Sequence, residues 1–256
     1  MMIRMMGLLI AACCLFANLQ LCVAQESLDD TPIANFSQLS RSADAALRSG
    51  DITAARAAAD GMAELADKNS EIYRIAADVY LRAGDAKSSL KYFDEYLKSH
   101  ASELPYLWQR GIALYFVGDF AEGAKQFEEH RHVNPNDVEN AAWHFLCVAK
   151  AESFQASQKQ LLPAPGDRRV PMDEVLEMLK TGDTDLVVKR MESIDKDSPM
   201  KASADFYGEF YLGLYADAKG KRDEAQRRLE RCAKNAPRNY MGDVARVYAK
   251  HLSQAK

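Results

Sequence analysis

Residues 104–136 read LPYLWQRGIALYFVGDFAEGAKQFEEHRHVNPN, two helical patterns joined at Gly118-Asp119 and closed by Pro135. The first pattern places Trp108, Gly111, Ile112 and Tyr115 at helical spacing, and the second does the same with Gly123 and Phe127. Glycine ends the first helix because it enters the left-handed backbone region without a Cβ clash, and the aspartate after it can cap the second. The stretch is therefore a helix–turn–helix hairpin.

The same punctuation recurs at one spacing. Gly50-Asp51, Gly84-Asp85 and Gly118-Asp119 follow one another at intervals of 34 residues, and Gly220 lies three such intervals further on. With that glycine as position 15 of a unit, position 8 is Ala43, Ala77, Gly111 or Gly213, small enough for two helices to approach closely. Position 20 is Ala55, Ser89, Gly123 or Ala225, and position 24 is Ala59, Phe93, Phe127 or Leu229. Pro135 and Pro237 end the second helices of their units. Clear repeats then span 36–69, 70–103, 104–137 and 206–239, and 240–254 forms a terminal capping helix. Residues 138–205 keep the overall spacing but lose the signature. A helix capped at Asn136 or Asp137 runs to about Glu152, a short one ends near Leu162, and Pro163–Pro171 is too rich in proline to be helical. Two more helices follow, divided at Gly182-Asp183, and the whole segment reads as degenerate repeats of one domain. No strand-like alternation of useful length appears, so the fold class is all-α.

Composition limits the function classes. Hydrophobic residues make up 48% and charged ones 27%, which is a folded chain and not a disordered one. A net charge of −4 offers no basic footprint for nucleic acid. Arg4, the apolar run from Gly7 to Ala17 and the small Ala24 before Gln25 form the pattern of a secretory signal, 1–24, followed by a flexible segment, 25–35. Asn18 and Gln20 break the apolar run short of the ~20 residues that a membrane span needs. Ile10-Ala11-Ala12-Cys13 has the chemistry of a lipidation site but comes early in the run, so membrane attachment is expected only with lipidation. Cleavage after Ala24 leaves Cys147 and Cys232, both read as buried apolar positions. The expected location is the periplasm or the exterior.

The residues above resemble tetratricopeptide repeat (TPR) proteins over most of the chain, which implies a right-handed superhelix of antiparallel hairpins. A narrower set resembles the NlpI-type periplasmic adaptor lipoproteins: Arg110-Gly111-Ile112-Ala113-Leu114-Tyr115, Asn134-Pro135-Asn136-Asp137, Trp143, Phe206-Tyr207 and Tyr211-Leu212-Gly213. That resemblance implies a non-catalytic adaptor which brings other proteins together. In such a superhelix, positions 2, 5, 9 and 12 of each first helix share one stripe facing the concave groove. The candidate partner-binding residues are Arg74, Asp78, Arg82, Trp108, Ile112, Tyr115 and Trp143. Aromatic anchors on that stripe would bind a protein or peptide; packing between repeats is the competing role for the tryptophans.

Two basic features stand apart. Arg168 and Arg169 lie on the proline-framed loop, and Arg227, Arg228 and Arg231 belong to a cation-rich helix; all five are candidates for an anionic partner, with a solvated face as the plainer reading. His130-Arg131-His132 lacks companions at ligand spacing, so neither a metal nor another cofactor is expected. An alternative reading makes the middle segment an enzyme or ligand site through His144, Cys147, Asp167 and Arg168. No orienting acid accompanies His144 and Cys147 in the sequence. A homodimer is compatible with all of this.

Overall fold

The computed structural model describes residues 32–254. The expected signal segment and residues 25–31 of the expected flexible segment lie outside the described residues. All regular elements of the described chain are helices, with no strand among the described residues.

Helices α1 (Pro32–Ser49) and α2 (Ile52–Leu65), α3 (Glu71–Arg82) and α4 (Ala86–Leu97), and α5 (Trp108–Val117) and α6 (Phe120–Val133) pack as successive pairs. The central helix α7 (Val138–Ala151) and short α8 (Phe154–Lys159) follow, then α9 (Met172–Thr181) and α10 (Asp185–Glu192). Helices α11 (Lys201–Ala218) and α12 (Arg222–Lys234) form a fourth long pair, and α13 (Tyr240–Gln254) ends the described chain. α1 starts four residues before position 36, with Pro32 at its first turn, where a missing N–H removes no intrahelical bond.

Local chemistry explains each turn. Gly118 has φ 89°, and Gly50, Gly84 and Gly220 share the left-handed region at the corresponding positions. Asp51, Asp85 and Asp119 accept from the backbone N–H of Ala54, Ser88 and Glu122 and so cap the second helices. After Gly220 the sequence has Lys221, and α12 starts without a side-chain cap. The close approach within a pair is equally specific. A Cβ added to Gly111 would lie 2.6 Å from Phe127 Cζ, and one added to Gly213 would lie 2.8 Å from Leu229 Cγ. Position 8 thus faces position 24 in both pairs, and the two helices of each pair run antiparallel.

The back half departs from a simple row of pairs. α7 has ten buried residues, from Val138 to Val148, because it is covered by α5, α6, α8, α9 and α11 together. A helix apolar on every side is a central element and not a surface one. α11 is buried almost as fully. One hydrophobic cluster runs from Leu81 to Leu252 around these two helices, while residues of α1–α3 from Ala43 to Ala83 pack in a separate one. Repeat 3 also begins differently from its neighbours. Residues Ala101–Tyr106, including Pro105, form a 3-10 turn, so α5 opens at Trp108 and leaves that indole at a helix start. No helix among the described residues is long and apolar enough to cross a membrane.

Candidate functional site: an aromatic cavity beside the C-terminal helix

The stripe predicted to line the groove is covered by the chain's own α13. This helix packs on α12 and reaches across to α3. Its buried residues Met241, Val244, Ala245, Tyr248 and Leu252 follow helical spacing. Gly242 lets it start hard against the preceding loop, since a Cβ there would lie 1.9 Å from the Pro237 carbonyl oxygen. Arg82 Nε donates to Asp243 Oδ2 at 2.9 Å, and the Arg82 guanidinium lies 5.4 Å from the centroid of the Tyr240 ring. Asp78 approaches the Arg82 guanidinium to 3.7 Å. Burial pushes its carboxyl up to about 6 against the opposing pull of Tyr240 and Arg82.

Further along α13 the contact becomes a buried polar node. Tyr115 and Tyr248 both donate their hydroxyls to Asp217 Oδ2, at 2.5 and 2.7 Å, and Lys150 Nζ donates to Oδ1 at 2.7 Å. Four helices, α5, α7, α11 and α13, meet at one carboxylate. Tyr115 is 3% exposed, Trp143 2% and Ile112 0%. These three are core residues in this structure, while Arg74 and Trp108 keep part of their surface in solvent. Sequence reading missed Tyr240, Asp243, Tyr248 and Asp217. The available signal was the apolar stripe of α13, more continuous than the open end of a single hairpin requires.

Beside α13 a cavity of about 290 Å³ remains. Trp108, Phe127, Trp143 and Tyr240 provide its aromatic walls, and His130, Asn140, Asp137, Glu139 and Arg169 its polar edge. Trp108 and Tyr240 meet edge to face at 4.9 Å, and Phe127 and Trp143 stack at 6.4 Å. Asn140 donates its amide to the Phe127 carbonyl at 2.9 Å, which leaves its buried Oδ1 without a hydrogen-bond partner; Trp143 Nε1 is likewise buried and unpaired. His130 Nδ1 lies 2.8 Å from the Pro105 carbonyl oxygen, the contact of a ring N–H donor.

One guanidinium organises the edge. Arg169 Nη2 donates to Asp137 Oδ1 at 2.7 Å and to Asp167 Oδ2 at 2.6 Å, Nε donates to Asp167 Oδ1 at 3.0 Å, and Nη1 donates to Glu139. Glu139 Oε2 also accepts from Tyr211 at 2.7 Å. Burial raises the Glu139 carboxyl, and Arg169 and Tyr211 only partly offset it. Burial pulls on Asp167 in the same sense, but its bonds from Arg169 prevail and hold it below the ordinary value. Three carboxylates thus surround a single cation. Asp137 doubles as the cap of α7, accepting from the Glu139 N–H at 3.1 Å.

The structure therefore joins residues that the sequence had placed in separate groups. Trp108 and Trp143 from the groove stripe and Arg169 from the proline-framed loop line one cavity. The other expected basic contacts do not join it. Arg228 and Arg231 both pair with Glu209, at 3.3 and 3.0 Å, while Arg168 and Arg227 are exposed elsewhere. The proposed catalytic group is also divided. Cys147 is fully buried, its thiol pushed up by burial, and His144 turns Nε2 to Glu128 Oε1 at 3.2 Å. Burial lowers the His144 pKa and favours the neutral ring. Asp167 faces Arg169, while Arg168 is exposed. Among the described residues no group of His, Cys, Asp or Glu is arranged to hold a metal ion.

In comparisons with known proteins, no family model and no curated protein sequence matches this chain.

Proposed function

We propose that this chain is an exported, non-catalytic TPR-like scaffold that binds proteins or peptides and holds them for a partner's activity. The observation that carries the reading is the occupied inner stripe. Residues of α3, α5 and α7 already hold a helix, α13, through an ion pair at Asp243, ring stacking at Tyr248 and an edge-to-face aromatic contact at Tyr240. That is the chemistry by which a helical groove binds an amphipathic helix. Where α13 begins, the stripe opens into the aromatic cavity, whose mixture of tryptophans and fixed polar groups suits an anchor residue of a partner. The repeated 34-residue pattern and the apolar leader favour a TPR-like scaffold that works after export.

The test is site-specific photocrosslinking in cells. A photoreactive phenylalanine analogue at Trp108, on the cavity rim, should yield discrete protein adducts. The same group at exposed Lys125, on the flank of α6, should not. Adducts only from Lys125, or none from either position, would sink the proposal.

A further inference from the structure

We infer that the cavity beside α13 is a pocket for a basic side chain, the guanidinium or ammonium group of an Arg or Lys in a partner peptide. The inference rests on the scaffold reading above and names the chemistry of its anchor. Three observations converge on a cation. The walls are aromatic rings, two indoles among them, and indoles attract a cation more strongly than other rings do. The polar edge carries an excess of negative charge, because its carboxylates Asp137 and Glu139 share Arg169 with a third, Asp167. An acceptor is also left over: the buried Asn140 Oδ1 has no hydrogen-bond partner, and every N–H of a guanidinium or ammonium is a donor.

Other occupants fit less well. An anion would meet the surplus carboxylates, and a purely apolar group would leave Asn140 Oδ1 without a partner and the surplus negative charge unbalanced. The volume, about 290 Å³, lies at the lower end of small-molecule pockets, which suits one long side chain. Trp143 Nε1, an unpaired donor on the same lining, needs an acceptor that a bare amine lacks and a peptide carbonyl supplies. The ligand is therefore a basic residue within a peptide.

The chain's two tryptophans both line this cavity, so the two indole N–H signals of a ¹⁵N NMR spectrum report on it alone. The full chain is titrated with N-acetyl-arginine N-methylamide and, separately, with the neutral isostere N-acetyl-citrulline N-methylamide. Both indole signals should move in a saturable way with the arginine probe. Affinity for the citrulline probe should be weaker by roughly three- to thirtyfold, the worth of a cation over aromatic faces. Asp137→Asn keeps an oxygen to cap α7 and removes one charge, and it should weaken arginine binding within the same range. Glu139→Gln provides a second, independent loss of charge should the first variant fail to fold, with amide signals remote from the cavity as the check on folding. Equal response to the two probes, indole signals unmoved by arginine, or undiminished binding in the folded charge variants would each overturn the inference. If Trp108 crosslinks to partners while the arginine probe is silent, the scaffold reading stands and only the cationic pocket falls.

Discussion

Replacing Asp217 by Asn should loosen the closure of the molecule more than any other isosteric change. The carboxylate accepts from Tyr115, Tyr248 and Lys150, and its side chain is 5% exposed. A hydrogen bond to a charged group contributes about 1.5–3 kcal/mol, against about 1 kcal/mol for a neutral pair. The amide oxygen of Asn can keep both tyrosines at the neutral level, losing roughly 1 kcal/mol at each. The amide nitrogen then faces the Lys150 ammonium, two donors with no acceptor between them, and Lys150 must retreat to solvent. With the ion pair gone the total is about 3–5 kcal/mol, the usual cost of removing one partner from a buried pair. Chemical denaturation measures that loss, and hydrogen exchange locates it. Amides of 240–254 should exchange faster in the variant, while those of α1 and α2, which pack in a separate cluster, should keep their protection. Tyr115→Phe should cost less, about 1.5–3 kcal/mol, because it removes one donor only. A loss below about 1 kcal/mol in Asp217→Asn, or one spread evenly over all helices, would refute the view that this node secures α13.

Gly111→Ala gains about 1 kcal/mol of helix propensity but drives a methyl to within 2.6 Å of the buried Phe127 ring, an overpacking cost of about 1–3 kcal/mol; a net loss is expected, and adding Phe127→Leu should recover most of it. The Asp78 carboxyl holds its proton up to about 6 in the folded chain against an ordinary 3.8, so between those pH values the folded form binds more protons than the unfolded one. Its contribution to stability therefore falls as pH rises through that window, and Asp78→Asn should gain on the natural chain by about 1–3 kcal/mol from pH 4 to pH 7 in paired denaturation curves. For His144 the sign reverses: the buried ring resists protonation, so its contribution is lost as pH drops below about 6.5, and His144→Gln should remove that part of the acid sensitivity. Burial raises both the Cys147 and Cys232 thiols, the latter to about 12, so peptide mapping after treatment with a thiol reagent should find them modified only once the chain is unfolded.

Much of the architecture was legible because its determinants are local. Gly118, Asp119 and Phe127 act within one hairpin, over separations of ten residues or so, and the helices of the middle segment fall close to where proline, glycine and capping residues place them. Even α13 matches its expected span, Tyr240–Gln254. Its destination was not legible. An amphipathic stripe states that a helix must bury one face, and many partners satisfy that demand equally. Exposure of the candidate site was hidden for the same reason. Trp108 and Tyr115 share a stripe in any superhelix of this period, with Trp143 beside it, yet of the three only Trp108 keeps open surface, because α5 begins there and α13 covers the other two.

The sequence by itself determined where helices start, turn and end, which faces they bury and how closely the paired helices approach, since those are set by backbone conformation and side-chain size within about 34 residues. Tertiary structure alone decided that Arg82 meets Asp243 and that Tyr115 meets Asp217, contacts separated by 161 and 102 residues. It also decided that Arg169 closes a cavity with Trp108 and Trp143. Such pairings depend on the accumulated angles of every hairpin between the partners, and no short-range pattern carries that sum.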